Sequence, residues 1–276
     1  MQNKVSDILK KVPAYLLVGI WIVIALTPLL WMVSTSFKGE TSLMSTPPKL
    51  IPDPFSLENY QKLLEQPVFL WVKNSVFVAT IITLEVVIVS SMAGYAFAKL
   101  QFPGKNFIFW LLISTMMIPG QVTLAPLYEL VMNFGFLDSF KALIFPPMAA
   151  VWGTFLLKQF IQTLPSELID SGRVDGASEW QIFSRIILPV AKPGLAVLGI
   201  FTFVAHWNDF MWPLVVLKDQ SRYTIQLGLS AFRFEHTTAY GPMMAGATLA
   251  ALPMVIIFLL LQRYFMEGLT VGALKG

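Results

Sequence analysis

A chain of 276 residues that is 56% hydrophobic and only 13% charged cannot pack as a soluble globule, which carries about a quarter charged residues; it belongs in a lipid bilayer. The formal net charge of +3 is what lysines in cytoplasmic loops produce, and it suggests no nucleic-acid partner. Cysteine is absent, which excludes disulfides, thiolate chemistry and cysteine-ligated metals.

The N-terminal arm, residues 1–13, carries Lys4, Lys10 and Lys11 ahead of a first apolar span at 14–36. That pattern has the charged approach of a signal peptide, but the apolar run is too long and lacks a small-x-small exit, so it reads as an uncleaved anchor. Residues 37–71 form a polar loop in which Pro47, Pro48, Pro52 and Pro54 forbid helix and favour a stiff, extended connector. Ser56 is positioned to cap a short helix over Leu57–Leu64. The loop reads as folded back on the membrane face, with docking of an external partner as the alternative. Further spans follow at 72–98, 107–128, 140–160, 194–217 and 243–265, each long enough to cross ~30 Å of hydrocarbon at about 1.5 Å per residue. The expected fold is therefore all-α, a polytopic membrane protein of six transmembrane helices with both termini on one side. A core at 72–265 follows the loop, and Gly268, Gly272 and Gly276 punctuate a tail at 266–276 too glycine-rich for an independent fold.

With the N-terminus inside, eleven Lys and Arg fall in inner segments and eight in outer ones. The N-terminal arm and the short 99–106 loop, which count most, hold five of the inner cations and one acid. Both termini are placed in the cytoplasm.

Between two apolar runs lies DSGRVDGASEWQIFSRIILP, residues 170–189, predicted to be cytoplasmic. Pro165 sets a helix start, Ser166–Val174 can run as one short helix, and Gly176 can adopt the left-handed conformation that ends it. Ser178 and Gln181 have the spacing of a reciprocal capping box, and Pro189 is expected to stop the second helix at Leu188. Trp180, Phe183, Ile186 and Ile187 give that helix an apolar stripe and leave Glu179 and Arg185 to water, while Asp170, Ser171 and Gly172 offer small residues for another protein to approach. Loop 165–189 is thus a hook of two short helices. An amphipathic segment that merely anchors two spans would need neither a glycine at a fixed offset nor two capped helices.

Polar residues inside spans are the second signal, since each ionisable group at bilayer depth costs at least ~2.5 kcal/mol and faces a bundle interior or cavity. His206, Asn208 and Asp209 fall in the fifth span beside Trp207 and Trp212, and Pro213 is expected to free the carbonyl of Asp209. Acceptors and amides next to flat aromatic faces suit a hydroxyl-rich ligand. Asn208, which both donates and accepts, is expected to face the path, with Asp209 braced against a fixed partner. Glu85, in the second span, has three open readings: protonated, paired with a companion chain, or facing a cavity.

Asp170-Ser171-Gly172, then Asp175-Gly176-Ala177, then Ile186-x-Leu188-Pro189 resembles the EAA loop of permease subunits of binding-protein-dependent ABC importers. The head departs from the family pattern, with Asp for Glu and Ser-Gly for Ala-Ala, and Gly172 is expected to weaken its helix by ~1 kcal/mol relative to Ala. The runs PLLWMVSTSFK at 28–38 and SLENY at 56–60, Trp207–Phe210 with Trp212–Leu214, and the tail Glu267–Gly276 are similar to the smaller permease of maltose-type carbohydrate importers. The resemblance implies an inner-membrane permease of a bacterium or archaeon, paired with a second permease and fed by an extracytoplasmic solute-binding protein. It further implies a sugar substrate and two copies of a cytoplasmic ATPase that docks the hook and meets the tail at its dimer interface. ATP and Mg would bind that partner, with no cofactor on this chain and membrane lipid around it. The sequence supports the same division of labour: a phosphate-binding loop needs Gly-x4-Gly-Lys-Ser/Thr, whereas Gly104-Lys105 is followed by Asn106 and preceded at the required glycine position by Lys99.

Two other classes fit the sequence less well. A proton-coupled secondary carrier could relay through Glu85, His206 and Asp209, but no inverted repeat is evident. A membrane metalloprotease needs clustered ligands, and the chain has only His206 and His236.

Overall fold

The computed structural model describes residues 2–39, 47, 49–233 and 239–273, with side chains from residue 11 onward except 233, 261 and 263–273. His236, Gly276 and part of the proline-rich connector lie outside the described residues. The described chain is all-α, with one isolated antiparallel bridge, Lys38 to Phe55. Its helices are α1 Gln2–Ser36, α2 Glu58–Leu64, α3 Val68–Lys99, α4 Lys105–Thr115, α5 Gly120–Asn133, α6 Phe140–Ile144 and α7 Val151–Gln162. There follow α8 Glu167–Val174, α9 Glu179–Gln181, a π-helical turn Ile182–Ile187, α10 Leu188–Val190, α11 Lys192–Trp207, α12 Met211–Val216, α13 Ile225–Ser230 and α14 Tyr240–Ala273.

Three stretches are single helices long and apolar enough to cross a membrane: Lys11–Ser36 of α1, Val68–Lys99, and Tyr240–Leu260 of α14. The others are bent pairs, and counting each pair as one span makes six. The expected third span at 107–128 breaks between α4 and α5 with a bend of 99°. Pro119 has no N–H for the helix ladder and sits at ψ 133°, starting α5 instead of continuing α4. The fourth bends by 40° after Pro146 and Pro147. The expected continuous helix at 194–217 is also interrupted, because α11 ends at Trp207 and α12 begins at Met211. Apolar length marked these segments as membranous without marking where each turns.

The chain divides into two compact units. The first comprises Met1–Val68 and Leu229–Pro253. Here α2 starts at Glu58, with the Ser56 hydroxyl accepting from the Glu58 amide at 3.2 Å. Its organising residue is Asn59, which is buried and donates its side-chain amide to the carbonyls of Ser36 (3.1 Å) and Lys38 (2.7 Å). The end of α1 is thereby clamped to α2, and Phe37 stacks on Phe55 at 5.0 Å.

The second unit comprises Phe69–Gly228 and Met254–Gly276. Its core joins Ile82 and Val86 of α3, Leu157 and Ile161 of α7, Ile182 and Ile187 of the π turn and Leu198 of α11. Close helix approach at small residues builds it: a Cβ on Gly94 would fall 2.9 Å from that of Leu157, and one on Gly153 would overlap the Ser90 hydroxyl. With lipid outside, such backbone-to-backbone packing is what holds helices together.

Candidate functional site

The hook forms as two short helices with a defined corner. At the end of α8 the Gly176 N–H donates to the Arg173 carbonyl (3.0 Å) and the Ala177 N–H to that of Gly172 (2.9 Å). Gly176 sits at φ +78°, so the corner is a complete Schellman turn. Past it, Ser178 Oγ accepts from the Gln181 amide (3.3 Å) while Gln181 Oε1 accepts from the Ser178 amide (2.8 Å), a full capping box.

Several details differ from expectation. Pro189 does not stop the second helix at Leu188; the chain continues to Val190 and turns at Ala191, where the bend into α11 is 77°. The preceding π turn explains this, because a wider turn, with the Leu188 N–H on the Phe183 carbonyl, moves the backbone away from the proline ring. Gly172 is buried rather than open to a partner: a Cβ there would lie 2.8 Å from Ile186 Cδ1 and 3.2 Å from Ile182 Cγ1. The glycine that weakens α8 as a helix thus lets α8 lie close on the second helix. Glu179 is engaged rather than free in water, accepting from the Tyr95 hydroxyl (2.7 Å) and pairing with Arg173 (2.8 Å). Those hydrogen bonds, Tyr95 first and then Arg173, hold its carboxyl below the usual carboxylate range.

The hook is thereby fastened to the end of α3, where Lys99 Nζ also donates to the Leu164 carbonyl at 2.6 Å. Asp170, Ser171, Asp175 and Pro189 are exposed, Ala177, Ile186 and Leu188 half-buried, and Ile182, Phe183 and Ile187 buried. Trp180, expected on the buried stripe, is 62% exposed. Ile182, absent from the expected stripe, is fully buried on the face it shares with Phe183 and Ile187. The outer surface of the hook therefore presents carboxylates and an indole on a rigid corner.

A cavity of about 250 Å³ lies where the fifth span breaks, its wall including His206, Asp209, Trp212, Pro213, Thr224 and Ile82. His206 stands in the last turn of α11, and Asp209 Oδ1 accepts from the Trp212 amide at 3.4 Å, bracing the start of α12. Pro213 falls in the first turn of α12, where an N–H has no helical acceptor in any case, so the expected release of the Asp209 carbonyl does not arise. Trp212 Nε1 donates to the Ala142 carbonyl at 2.9 Å, which fixes its ring on the wall. Asn208 and Trp207 are not among the lining residues. Asn208 is exposed and donates back to the Val204 carbonyl (2.9 Å), and Trp207 is fully buried, stacked on Phe203 at 5.9 Å.

Sequence reasoning missed Thr224, whose hydroxyl is buried on this wall without a partner among the described residues. No motif marks it, since the loop carrying it reaches the cavity only through distant bonds. Asn74 donates to the carbonyls of Ser221 and Tyr223 (each 2.9 Å), and Ser75 Oγ accepts from the Ile225 amide at 2.7 Å. Glu85 does not line the cavity, and its Oε1 is buried without a partner among the described residues. The three acids and bases of a supposed proton relay are thus not gathered around one space.

Residues 86–271 match the family model for the inner membrane component of binding-protein-dependent transport systems. The chain belongs to that family. Its relatives include the arabinooligosaccharides transport system permease protein AraQ of Halalkalibacterium halodurans, 37% identical with 92% of each chain covered. The sn-glycerol-3-phosphate transport system permease protein UgpE of Salmonella typhimurium is 34% identical, covering 90% of this chain and 92% of that protein. The crystal structure of a bacterial ABC transporter that imports the acidic polysaccharide alginate superposes with a TM-score of 0.82, at 20% identity and over 94% of this chain and 98% of that one. The protein is accordingly a multi-pass ABC importer permease, a transport component rather than an enzyme.

Proposed function

We propose that this permease forms, with a second permease, the path by which a sugar or oligosaccharide enters the cell. Two copies of an ATPase, which bind ATP and Mg, drive it, and an extracytoplasmic solute-binding protein feeds it. The hook carries this reading: a rigid two-helix corner, fixed to α3 through Tyr95 and Lys99, suits transmission of ATPase closure to the spans. On this reading the hook and both termini lie in the cytoplasm, and Asp170, Ser171, Asp175 and Gly176 meet the ATPase. A binding-protein partner is supported by a second similar structure, in which an alginate transporter is in complex with a pentasaccharide-bound periplasmic protein (TM-score 0.64, 14% identity, 92% of this chain and 94% of that one). A carbohydrate substrate is supported by relatives named for arabinooligosaccharides and alginate.

Path contacts are assigned to His206, Asp209, Trp212 and Thr224, which share one cavity. Asn208 is assigned to holding the end of α11 rather than to the path. The tail is assigned to the ATPase interface, as a continuation of α14, helical through Ala273.

The test is uptake into proteoliposomes holding the chain with whatever subunits copurify. An importer requires ATP inside and is indifferent to collapse of the proton gradient. Uptake by this chain alone, abolished by a protonophore, would overturn the reading. Deleting Leu269–Gly276 should lower substrate-stimulated ATPase activity several-fold at unchanged membrane abundance.

A further inference from the structure

Away from the hook's outer face and the broken span, the end of α3, the start of α4 and the end of α7 enclose a cavity of about 170 Å³. Lys105, Asn106, Lys158 and Gln162 supply its polar wall, and Phe97 and Phe109 line it as well. Its lining contains two ammonium groups and two side-chain amides but no carboxylate.

Most of this donor capacity is unused. Lys105 Nζ donates to the Leu100 carbonyl at 2.7 Å, which leaves two of its three protons. Lys158 Nζ rests 4.5 Å from the centre of the Phe109 ring, and no carbonyl or carboxylate accepts from it among the described residues. The side-chain amides of Asn106 and Gln162 likewise have no protein partner among the described residues. Two like charges on one cavity wall repel, which an anion between them offsets, and two ammonium groups with two side-chain amides on the same lining suit the several acceptor oxygens of a phosphate.

The setting says which phosphate. Lys99, two residues beyond Phe97, donates to the Leu164 carbonyl, so the cavity lies at the hook's end of the membrane-spanning helices. On α4, Phe107 (74% exposed) and Trp110 (68%) present bare apolar surface beside the cavity. A tryptophan beside paired lysines is the arrangement of the membrane–water boundary, and basic pockets between spans at that level hold acidic lipid head groups.

We propose that this cavity binds the phosphate of an anionic phospholipid, with the acyl chains lying along Phe107 and Trp110. Lipid occupancy bridges α4 to α7 and stiffens the base from which the hook projects. A free phosphate offers the same oxygens without the chains, so the two sources separate by experiment.

The full chain, purified with its companion subunits, is exchanged into vesicles of phosphatidylcholine with or without phosphatidylglycerol. Retained lipid is counted by native mass spectrometry after detergent extraction. Phosphatidylglycerol should be retained saturably and at least about tenfold over phosphatidylcholine, a difference of ~1.4 kcal/mol. Lys105→Gln with Lys158→Gln should abolish that preference, while the Lys105→Arg, Lys158→Arg pair and the distant Lys141→Gln should keep it. Equal retention of the two lipids, or wild-type preference in the glutamine pair, overturns the lipid proposal. The delipidated complex is also heated with inorganic phosphate: stabilisation that the glutamine pair loses, without lipid preference, overturns the lipid assignment and moves the site to a soluble anion. If the glutamine pair elutes as an aggregate, retention by each single glutamine variant decides, with a several-fold loss expected from each and no loss overturning the site.

Discussion

The hook and the broken fifth span differ in how they are held. The bonds that close the hook's corner join residues at most six apart: Ala177 to Gly172, Gly176 to Arg173, Ser178 to Gln181 and Arg173 to Glu179; Tyr95 and Lys99 fasten the finished corner to α3. The break at Asn208–Phe210 depends on distant partners. Trp212 reaches Ala142 at a separation of 70 residues, and the loop beyond α12 reaches Asp138 at 80 and Asn74 at 149. A corner made of local bonds can act as a rigid lever whatever the spans do, whereas a site made of distant bonds changes shape whenever the spans move. On the proposed reading, coupling and substrate handling are divided between two kinds of structure.

The sharpest break in this comparison is Gly176→Leu. A Cβ at this position meets nothing within 4 Å, so the whole cost is the left-handed backbone at φ +78°, about 1–2 kcal/mol for a side-chain-bearing residue. Tyr95 and Lys99 hold the residues on either side of the turn and not the turn itself, so the angle between the two helices should change: uptake is expected to fall more than tenfold with membrane abundance near normal. Gly176→Asn, which tolerates the same conformation, should retain most uptake. Normal uptake by a well-expressed Gly176→Leu complex would show that the corner angle does not transmit force.

A smaller effect separates neighbours at the break. Asp209→Ala removes a carboxyl from the cavity wall and the acceptor of the Trp212 amide, and losing a hydrogen bond of about 1 kcal/mol together with a path contact is expected to lower uptake about tenfold. Asn208→Ala, at an exposed residue that is not part of the cavity wall, should stay within about twofold, since a surface substitution costs ~0.5 kcal/mol or less. Uptake per assembled complex for the two variants is the measurement, and the opposite order would place Asn208 on the path.

The mildest test concerns the distant bonds themselves. Asp138 accepts from the Lys218 (2.9 Å) and Asp219 (3.0 Å) amides and pairs with Arg222. The Asp219 and Lys218 amides hold its carboxyl below the usual range. A carboxyl lowered on folding contributes stability that is present above its unfolded pKa of about 4 and lost as pH falls through its folded value. Asp138→Asn should lower the melting temperature by a few degrees at neutral pH and flatten the decline below pH ~4. An unchanged acid limb would mean that the loop is held by other contacts.

Legibility follows the same division. Gly176 and the Ser178–Gln181 box were readable because a Schellman turn and a capping box need particular residues at fixed short offsets. The π turn at Ile182–Ile187, which carries the helix past Pro189, was not, and neither was the exposure of Trp180, which depends on what packs against the hook. Asn208 was a reasonable candidate for the path by residue type, yet whether it or Asp209 lines a cavity depends on where the helix stops.

By itself the sequence determined that this chain lies in a bilayer, has six apolar stretches and carries a capped hook. Apolar length, end charges and capping offsets act within one stretch of chain. Tertiary structure decided where three of those stretches bend, which hook face is buried through Gly172, and that Thr224 joins His206, Asp209 and Trp212 on one wall. Those outcomes arise from contacts between residues far apart in the chain, and a helix whose surroundings are as apolar as itself has its position set by such packing rather than by its own hydrophobicity.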